Sequence, residues 1–283
     1  MVYIFSVPNS LLTLNDGRTL EYNSNAINAS SAVIFHQGTL TDLSGWESWM
    51  KELGERNIRA VAFNRSGYGR SSADHERQVL NTGRDVSQLA DALGLTRFVS
   101  IGLSGGGPPA LATGLDQRCA GVVTVGGLGP YGVDSLDFYA GMKDDDVNEY
   151  HAALRDITEL LALLGPDGPT TYWCPPDAEA LASPEADELH QATTTTLTWG
   201  LQCLIDDYSS YLSPWGFDVT EVRVPVVLFQ GTLDGNVPPG HASWLGEHLV
   251  NGRVQWCEGD GHISTLLRHR TAILNAGEQL LRS

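Results

Sequence analysis

The residues best suited to do chemistry in this chain are grouped around Gly102-Leu-Ser104-Gly-Gly106. A serine hydroxyl attacks a carbonyl carbon when it stands in the open, with a base beside it and donors ready for the oxyanion that forms. Gly-x-Ser-x-Gly meets the first need when an apolar strand runs into it and a helix runs out of it. The serine then sits at the tip of a sharp, strained turn, the nucleophile-elbow pattern. Both contexts are present. Arg97-Phe-Val-Ser-Ile-Gly-Leu103 is an apolar run of the kind a buried parallel strand uses. Pro108-Pro-Ala-Leu-Ala112 opens a helix with prolines in its first turn, where no amide partner is lost. Gly102 and Gly106 let strand and helix approach closely.

The base and its orienting acid must come from elsewhere in the chain. Val224-Pro-Val-Val-Leu-Phe-Gln230 reads as a buried strand and runs into Gly231-Thr-Leu-Asp234, which puts Asp234 in a loop at a strand's carboxyl end. Arg253-Val-Gln-Trp-Cys257 reads as the last strand and leads into Glu258-Gly-Asp-Gly-His262, which puts His262 in the loop after it. Taken singly, the serine pattern occurs in ordinary loops, Asp234 is a turn aspartate and His262 a surface histidine. In the order Ser104, Asp234, His262, each beyond the carboxyl end of a strand, they read as nucleophile, orienting acid and base.

The N–H of Gly105 supplies one oxyanion donor, and the loop after the early strand Ser31-Ala-Val-Ile-Phe35 supplies the other. In His36-Gln-Gly-Thr-Leu40 two registers compete. One assigns the donor to Gly38 and the other to Thr39; Thr39 is preferred because it keeps the glycine in register. His36 precedes this loop and reads as a hydrogen-bonding brace rather than a second base.

With these segments the chain resembles the serine-nucleophile α/β-hydrolases, and among them the capped esterase and proline-iminopeptidase-like branch. The resemblance spans nearly the whole sequence. Asn64-Arg-Ser-Gly-Tyr-Gly-Arg-Ser71 is similar to the family's Asp-Arg-Pro-Gly-x-Gly-x-Ser loop, and His36 to Leu40 to its His-His-Gly-Thr-Pro. Pro214-Trp-Gly-Phe-Asp218, Gly231 to Pro238 and Gly261-His-Ile-Ser264 also match. Asn64, Ser66, Leu40 and Gln37 depart from the pattern, and none of them belongs to the Ser104, Asp234, His262 set. The resemblance implies an α/β fold with a mostly parallel sheet, helices on both faces and an inserted helical cap.

The order of elements agrees. Apolar segments at 11–14 and 18–22 flank Asn15-Asp-Gly17, a hairpin signal. Strands at 32–35, 59–63, 98–103 and 121–125 then alternate with helices at 46–55 and 82–93 and with the helix after Ser104, as in a parallel sheet covered on both faces. The strand pattern stops after Gly129 and resumes at Val224. Residues 130–215 read instead as proline-punctuated helices at 148–164, 177–182 and from 183 onward, with 193–196 a stiff, poorly helical run of threonines. The expected organisation is a core of 1–129 and 216–283 with a cap of 130–215 that excludes water and shapes the substrate pocket. Tyr172, Trp173, Trp199, Tyr208, Tyr211 and Trp215 are either cap core or pocket lining. Asp206-Asp207 is either a charged helix end or a site for a substrate amine.

Composition excludes several classes. Asp and Glu number 34 against 17 Lys and Arg, and the net charge is −17. Residues 130–215 hold sixteen Asp and Glu against Lys143 and Arg155, a net of −14. That balance argues against nucleic acid as a partner. It is either a solvated face or a field at the entrance that disfavours anionic substrates. No apolar run approaches a membrane span, and Met1-Val-Tyr-Ile-Phe5 lacks a basic leader, so a cytoplasmic protein with no membrane contact is expected. Cys119, Cys174, Cys203 and Cys257 are scattered, as for free thiols rather than disulfides or a metal site. No motif calls for a cofactor, and no oligomeric state is legible.

The expected activity is hydrolysis of a carboxylic ester of a small, neutral substrate through an acyl-enzyme. An aminopeptidase of the proline-iminopeptidase kind, acting on an amide, would use the same residues. So would an acyl-transferring or releasing enzyme of natural-product synthesis. A ligand-binding protein with a vestigial triad would retain them.

Overall fold

The computed structural model describes residues 9–164 and 173–283. The pocket candidate Tyr172 and the opening Met1-Val-Tyr-Ile-Phe5 lie outside them. Strands β1 (Ser10–Thr13) and β2 (Thr19–Ser24) form the expected antiparallel hairpin. Then β3 (Ser31–His36), α1 (Glu47–Glu55), β4 (Arg59–Phe63), α2 (Val79–Ala92), β5 (Arg97–Leu103), α3 (Gly107–Thr113) and β6 (Cys119–Val125) alternate. Five helices follow β6 in the described residues: α4 (Asp144–Arg155), α5 (Ile157–Leu164), α6 (Pro175–Leu181), α7 (Asp187–Leu197) and α8 (Gln202–Tyr211). The chain closes with β7 (Val226–Gly231), α9 (Pro239–His248), β8 (Gly252–Cys257), α10 (His262–Arg268) and α11 (Arg270–Arg282).

The sheet runs β1-β2-β4-β3-β5-β6-β7-β8. All pairs from β4 to β8 are parallel, and β2 joins β4 antiparallel. The strands read as unbroken apolar runs because both faces are covered. Ala32, Ile34, Val61 and Phe63 share one cluster with Val86 and Leu89 of α2. Their neighbours Val33, Phe35, Ala60 and Ala62 share the other with Trp49 and Leu53 of α1 and Ile273 and Leu274 of α11. Burial of Leu-sized side chains contributes roughly 1.5–3 kcal/mol each. The strand order turns outward in both directions from the β3/β5 pair. The loops after these two strands therefore splay apart and leave a crevice at the carboxyl ends.

Two expectations among the helices need correction. The single helix expected at 148–164 is two. Asp156 is extended (φ −162°, ψ 127°) and ends α4, while its carboxylate accepts from the Thr158 amide at 2.8 Å and starts α5. An aspartate side chain competes with the helical ladder in this way. The threonine run is helical, inside α7. Thr193 and Thr196 return their hydroxyls to the carbonyls of Leu189 and Ala192, both at 3.0 Å, so these polar groups are satisfied within the helix.

Candidate active site

Ser104 directly follows β5 and has a φ of 51°. A side-chain-bearing residue in this left-handed region carries about 1–3 kcal/mol of strain and persists only where its surroundings dictate it. The glycines on either side supply that constraint. A Cβ on Gly102 would run into the Gly106 carbonyl and come within 2.9 Å of the Ala110 methyl; one on Gly106 would run into the carbonyls of His36 and Gln37. The turn is thus pressed between its own strand, its own helix and the end of β3.

Asp234 lies three residues beyond β7, with 3% of its surface exposed. One carboxylate oxygen, Oδ1, accepts from the amides of Asn236 and Val237, each at 2.9 Å. That fixes the carboxylate and leaves Oδ2 for His262, whose Nδ1 is 2.7 Å away. His262 is not in a loop, as expected, but is the first residue of α10. Gly126, just past β6, has a φ of 54°, and a Cβ there would sit 2.8 Å from the His262 ring. Burial alone would push the imidazolium's pKa down, but Asp234 and then Asp177 outweigh it and hold the ring above the usual histidine value.

The loop after β3 is tied on one side. Arg65 donates to the carbonyls of Gln37 and Gly38, and the Leu40 amide donates to the Tyr68 hydroxyl at 3.2 Å. Thr39 places its hydroxyl 3.2 Å from the hydroxyl of Tyr211, which itself donates to the Gly105 carbonyl at 2.8 Å. The two segments expected to hold the oxyanion are therefore clamped to one tyrosine. Gly38, Thr39, Ser104, Gly105 and His262 all line one cavity of about 400 Å³.

A model of the alpha/beta hydrolase fold family matches residues 31–268. This chain belongs to that family. It is 27% identical over 264 residues to a non-heme chloroperoxidase of Streptomyces lividans, covering 89% of this chain and 92% of that protein. A non-heme haloperoxidase of Rhodococcus erythropolis is 29% identical over 257 residues, with the same 89% and 92% coverage. Among solved structures, an esterase from Exiguobacterium antarcticum superposes with a TM-score of 0.74 at 17% identity, over 98% of this chain and 100% of that one.

The rest of this α/β-hydrolase's cavity is built largely by the helices between β6 and β7. Leu181, Leu189, Leu197 and Leu204 give it apolar walls, joined by Trp173 and Tyr208 of the six aromatic candidates. Tyr211 and Trp215 are buried, and Trp199 is exposed. Two acids of α4, Asp146 and Glu149, also line it. Burial pushes the Asp146 carboxyl up to about 6, and one of its oxygens, buried, has no partner among the described residues. Burial likewise pushes Glu149 up to about 7, against a hydrogen bond of 2.6 Å from the Tyr208 hydroxyl.

Other residues lie outside the cavity lining. His36 ends β3 and is fully buried, with Nε2 3.1 Å from the Ser100 hydroxyl. Burial, with Arg65 nearby, lowers its pKa to about 3, so the ring is neutral. Asp206 and Asp207 are neither a helix end nor cavity lining. They are buried within α8, and Asp207 pairs with Arg65 and Arg77. Asp177 of α6 accepts hydrogen bonds from the start of α10. Local signals were absent in these cases: Asp177 and Asp207 meet partners 85 to 168 residues away. Cys119, Cys203 and Cys257 are buried, Cys174 half-buried, and none of the four is in a disulfide.

Proposed function

We propose that this α/β-hydrolase is a serine hydrolase that cleaves a carboxylic ester of a small, neutral substrate through an acyl-enzyme. One observation carries the reading. A strained serine and a histidine line the same cavity, and that histidine is held 2.7 Å from a carboxylate whose other oxygen is fixed by two amides. Ser104 attacks the carbonyl carbon while His262 takes its proton on Nε2. The Nδ1–H of His262 donates to Asp234, which orients the ring and stabilises the imidazolium. The N–H groups of Gly105 and Thr39 bind the oxyanion. His262 returns the proton to the leaving alkoxide, and water then repeats the steps on the acyl group. Residues 130–215 act as the cap over this chemistry. Asp146 and Glu149 in the wall disfavour an anionic acyl group.

A fluorophosphonate is expected to label Ser104 alone. Ser104→Ala is expected to abolish labelling and lower turnover of p-nitrophenyl esters by up to about 10⁶-fold. Label at another residue, or full activity in the alanine variant, would sink the mechanism. Proline p-nitroanilide turned over faster than every ester in a chain-length series would replace esterase with aminopeptidase.

A further inference from the structure

Helix α10 begins at His262 with Gly261 before it, which has no side chain to accept from the first helical amides; the helix's own Ser264 hydroxyl takes the Gly261 amide instead, at 2.7 Å. An uncapped N-terminus leaves several N–H groups without partners. Here a residue of another element fills the place. Asp177, in the first turn of α6 and 1% exposed, accepts from the His262 amide at 2.8 Å with Oδ2. Its Oδ1 accepts from the Ser264 amide at 2.8 Å and the Ser264 hydroxyl at 2.7 Å. The space is reserved for it: a Cβ on Gly261 would lie 2.6 Å from the Asp177 carboxyl carbon.

We propose that Asp177 is a positioning residue for the base, holding the main chain of His262 in place and lending its charge to the imidazolium that forms during turnover. The inference rests on the serine-hydrolase reading above. His262 is thereby held at two points by two elements: its ring by Asp234 beyond β7, its backbone by Asp177 on α6. Asp177 is charged. Burial works against its ionisation, but the hydrogen bonds from Ser264 and His262 outweigh that and keep it below the usual aspartate value. Among the described residues, the charged groups around His262 include Asp234, Asp177, Lys143 at the start of α4, and Asp146 on α4. Lys143 opposes the imidazolium and the carboxylates favour it.

The test compares Asp177→Asn with the parent protein. The amide keeps the shape but loses the charge and one acceptor. Turnover needs neutral His262, so activity falls as pH drops through the His262 pKa. Loss of a neighbouring negative charge lowers that pKa. The acid limb of kcat should move to lower pH by about one unit, with kcat at its plateau falling about 10- to 100-fold and KM little changed. An Asp177→Asn protein whose acid limb stays in place overturns the proposal, whether or not its melting temperature or kcat falls. If that variant does not fold, Asp177→Glu keeps the charge on a longer arm. It should keep the acid limb and lose kcat, and unchanged kcat overturns the proposal. An NMR titration of His262 in Ser104→Ala protein reads the same coupling without turnover. A shift seen there on adding Asp177→Asn, in a protein whose parent shows no Ser104-dependent activity, would count against the hydrolase reading and leave the coupling standing.

Discussion

Two buried aspartates fasten the helices between β6 and β7 to the carboxyl end of the sheet, and they do it by different means. Asp207 on α8 sits in an ion cluster. Arg65 approaches Oδ2 at 2.5 Å, Arg77 pairs with Oδ1, and the hydroxyls of Tyr68 and Thr39 donate at 2.7 and 3.1 Å. Asp206 beside it takes Arg77 at 3.7 Å and His75 at 3.0 Å. Two arginines against two aspartates leave the cluster close to neutral, and the charges that act most on His262 are Asp234, Asp177 and Lys143 instead. Asp177 on α6 accepts from two amides and a hydroxyl, and its charge is felt by His262. The same residue type thus serves geometry at one anchor and adds electrostatics at the other. What decides between them is whether the donors carry a balancing charge.

The largest effect that would test this contrast is on stability. Asp207→Ala leaves Arg65 buried without its carboxylate and Arg77 with only Asp206, at 3.7 Å, and breaking a buried pair typically costs about 3–5 kcal/mol. Urea denaturation reads the loss. Removing Asp207 leaves the two arginines one charge in excess, but Asp207 bonds to Arg65, Arg77, Tyr68 and Thr39 rather than to His262, so the acid limb of the pH profile should move less than in Asp177→Asn. A limb displaced as far as in Asp177→Asn would erase the distinction between the anchors.

A smaller effect is expected at the tyrosine that joins the neutral anchor to the two segments proposed to hold the oxyanion. Tyr211→Phe removes the hydroxyl that donates to the Gly105 carbonyl and meets Thr39. Kcat should fall about tenfold through misplaced donors, with no shift along the pH axis. Unchanged kcat would mean that the loop after β3 and the Ser104 turn hold their own geometry.

The smallest effect concerns carboxyls that neither anchor uses. Asp146 and Glu149 line the cavity, with pKa values raised by burial to about 6 and about 7. As pH rises through that window they lose protons and become negative. A neutral ester should therefore be preferred over an isosteric carboxylate-bearing one by a few-fold at pH 8. The preference should shrink below pH 6 and at high salt, chiefly in kcat/KM. Matched ester pairs assayed across pH are the check, with Asp146→Asn expected to flatten the trend. A preference that grows toward low pH would place the discriminating charge elsewhere.

Much of this was written in the sequence, for a local reason. Strands buried on both faces must be apolar throughout, so β3, β4, β5, β6 and β7 stand out as runs of Val, Ile, Ala and Phe. A turn that holds a serine at positive φ against two backbones demands glycine at fixed offsets, so the segment around Ser104 is legible by itself. The order of Ser104, Asp234 and His262 along the chain follows from where strands end.

The tertiary structure alone decided the rest. Whether an aspartate caps, pairs or lines a cavity depends on what faces it, and those partners come from distant segments. Asp156 breaks a helix through a neighbour two residues away, yet the apolar pattern across it gave no sign of the break. Asp206 and Asp207 look like exposed acids until Arg65, Arg77 and His75 are brought to them from the far side of the chain. Asp177 looks like one more acid in an acidic segment until α6 meets the first turn of α10. Composition set the charge of that segment at −14, but it could not say which charges are answered by arginine, which by amides, and which are left facing the cavity.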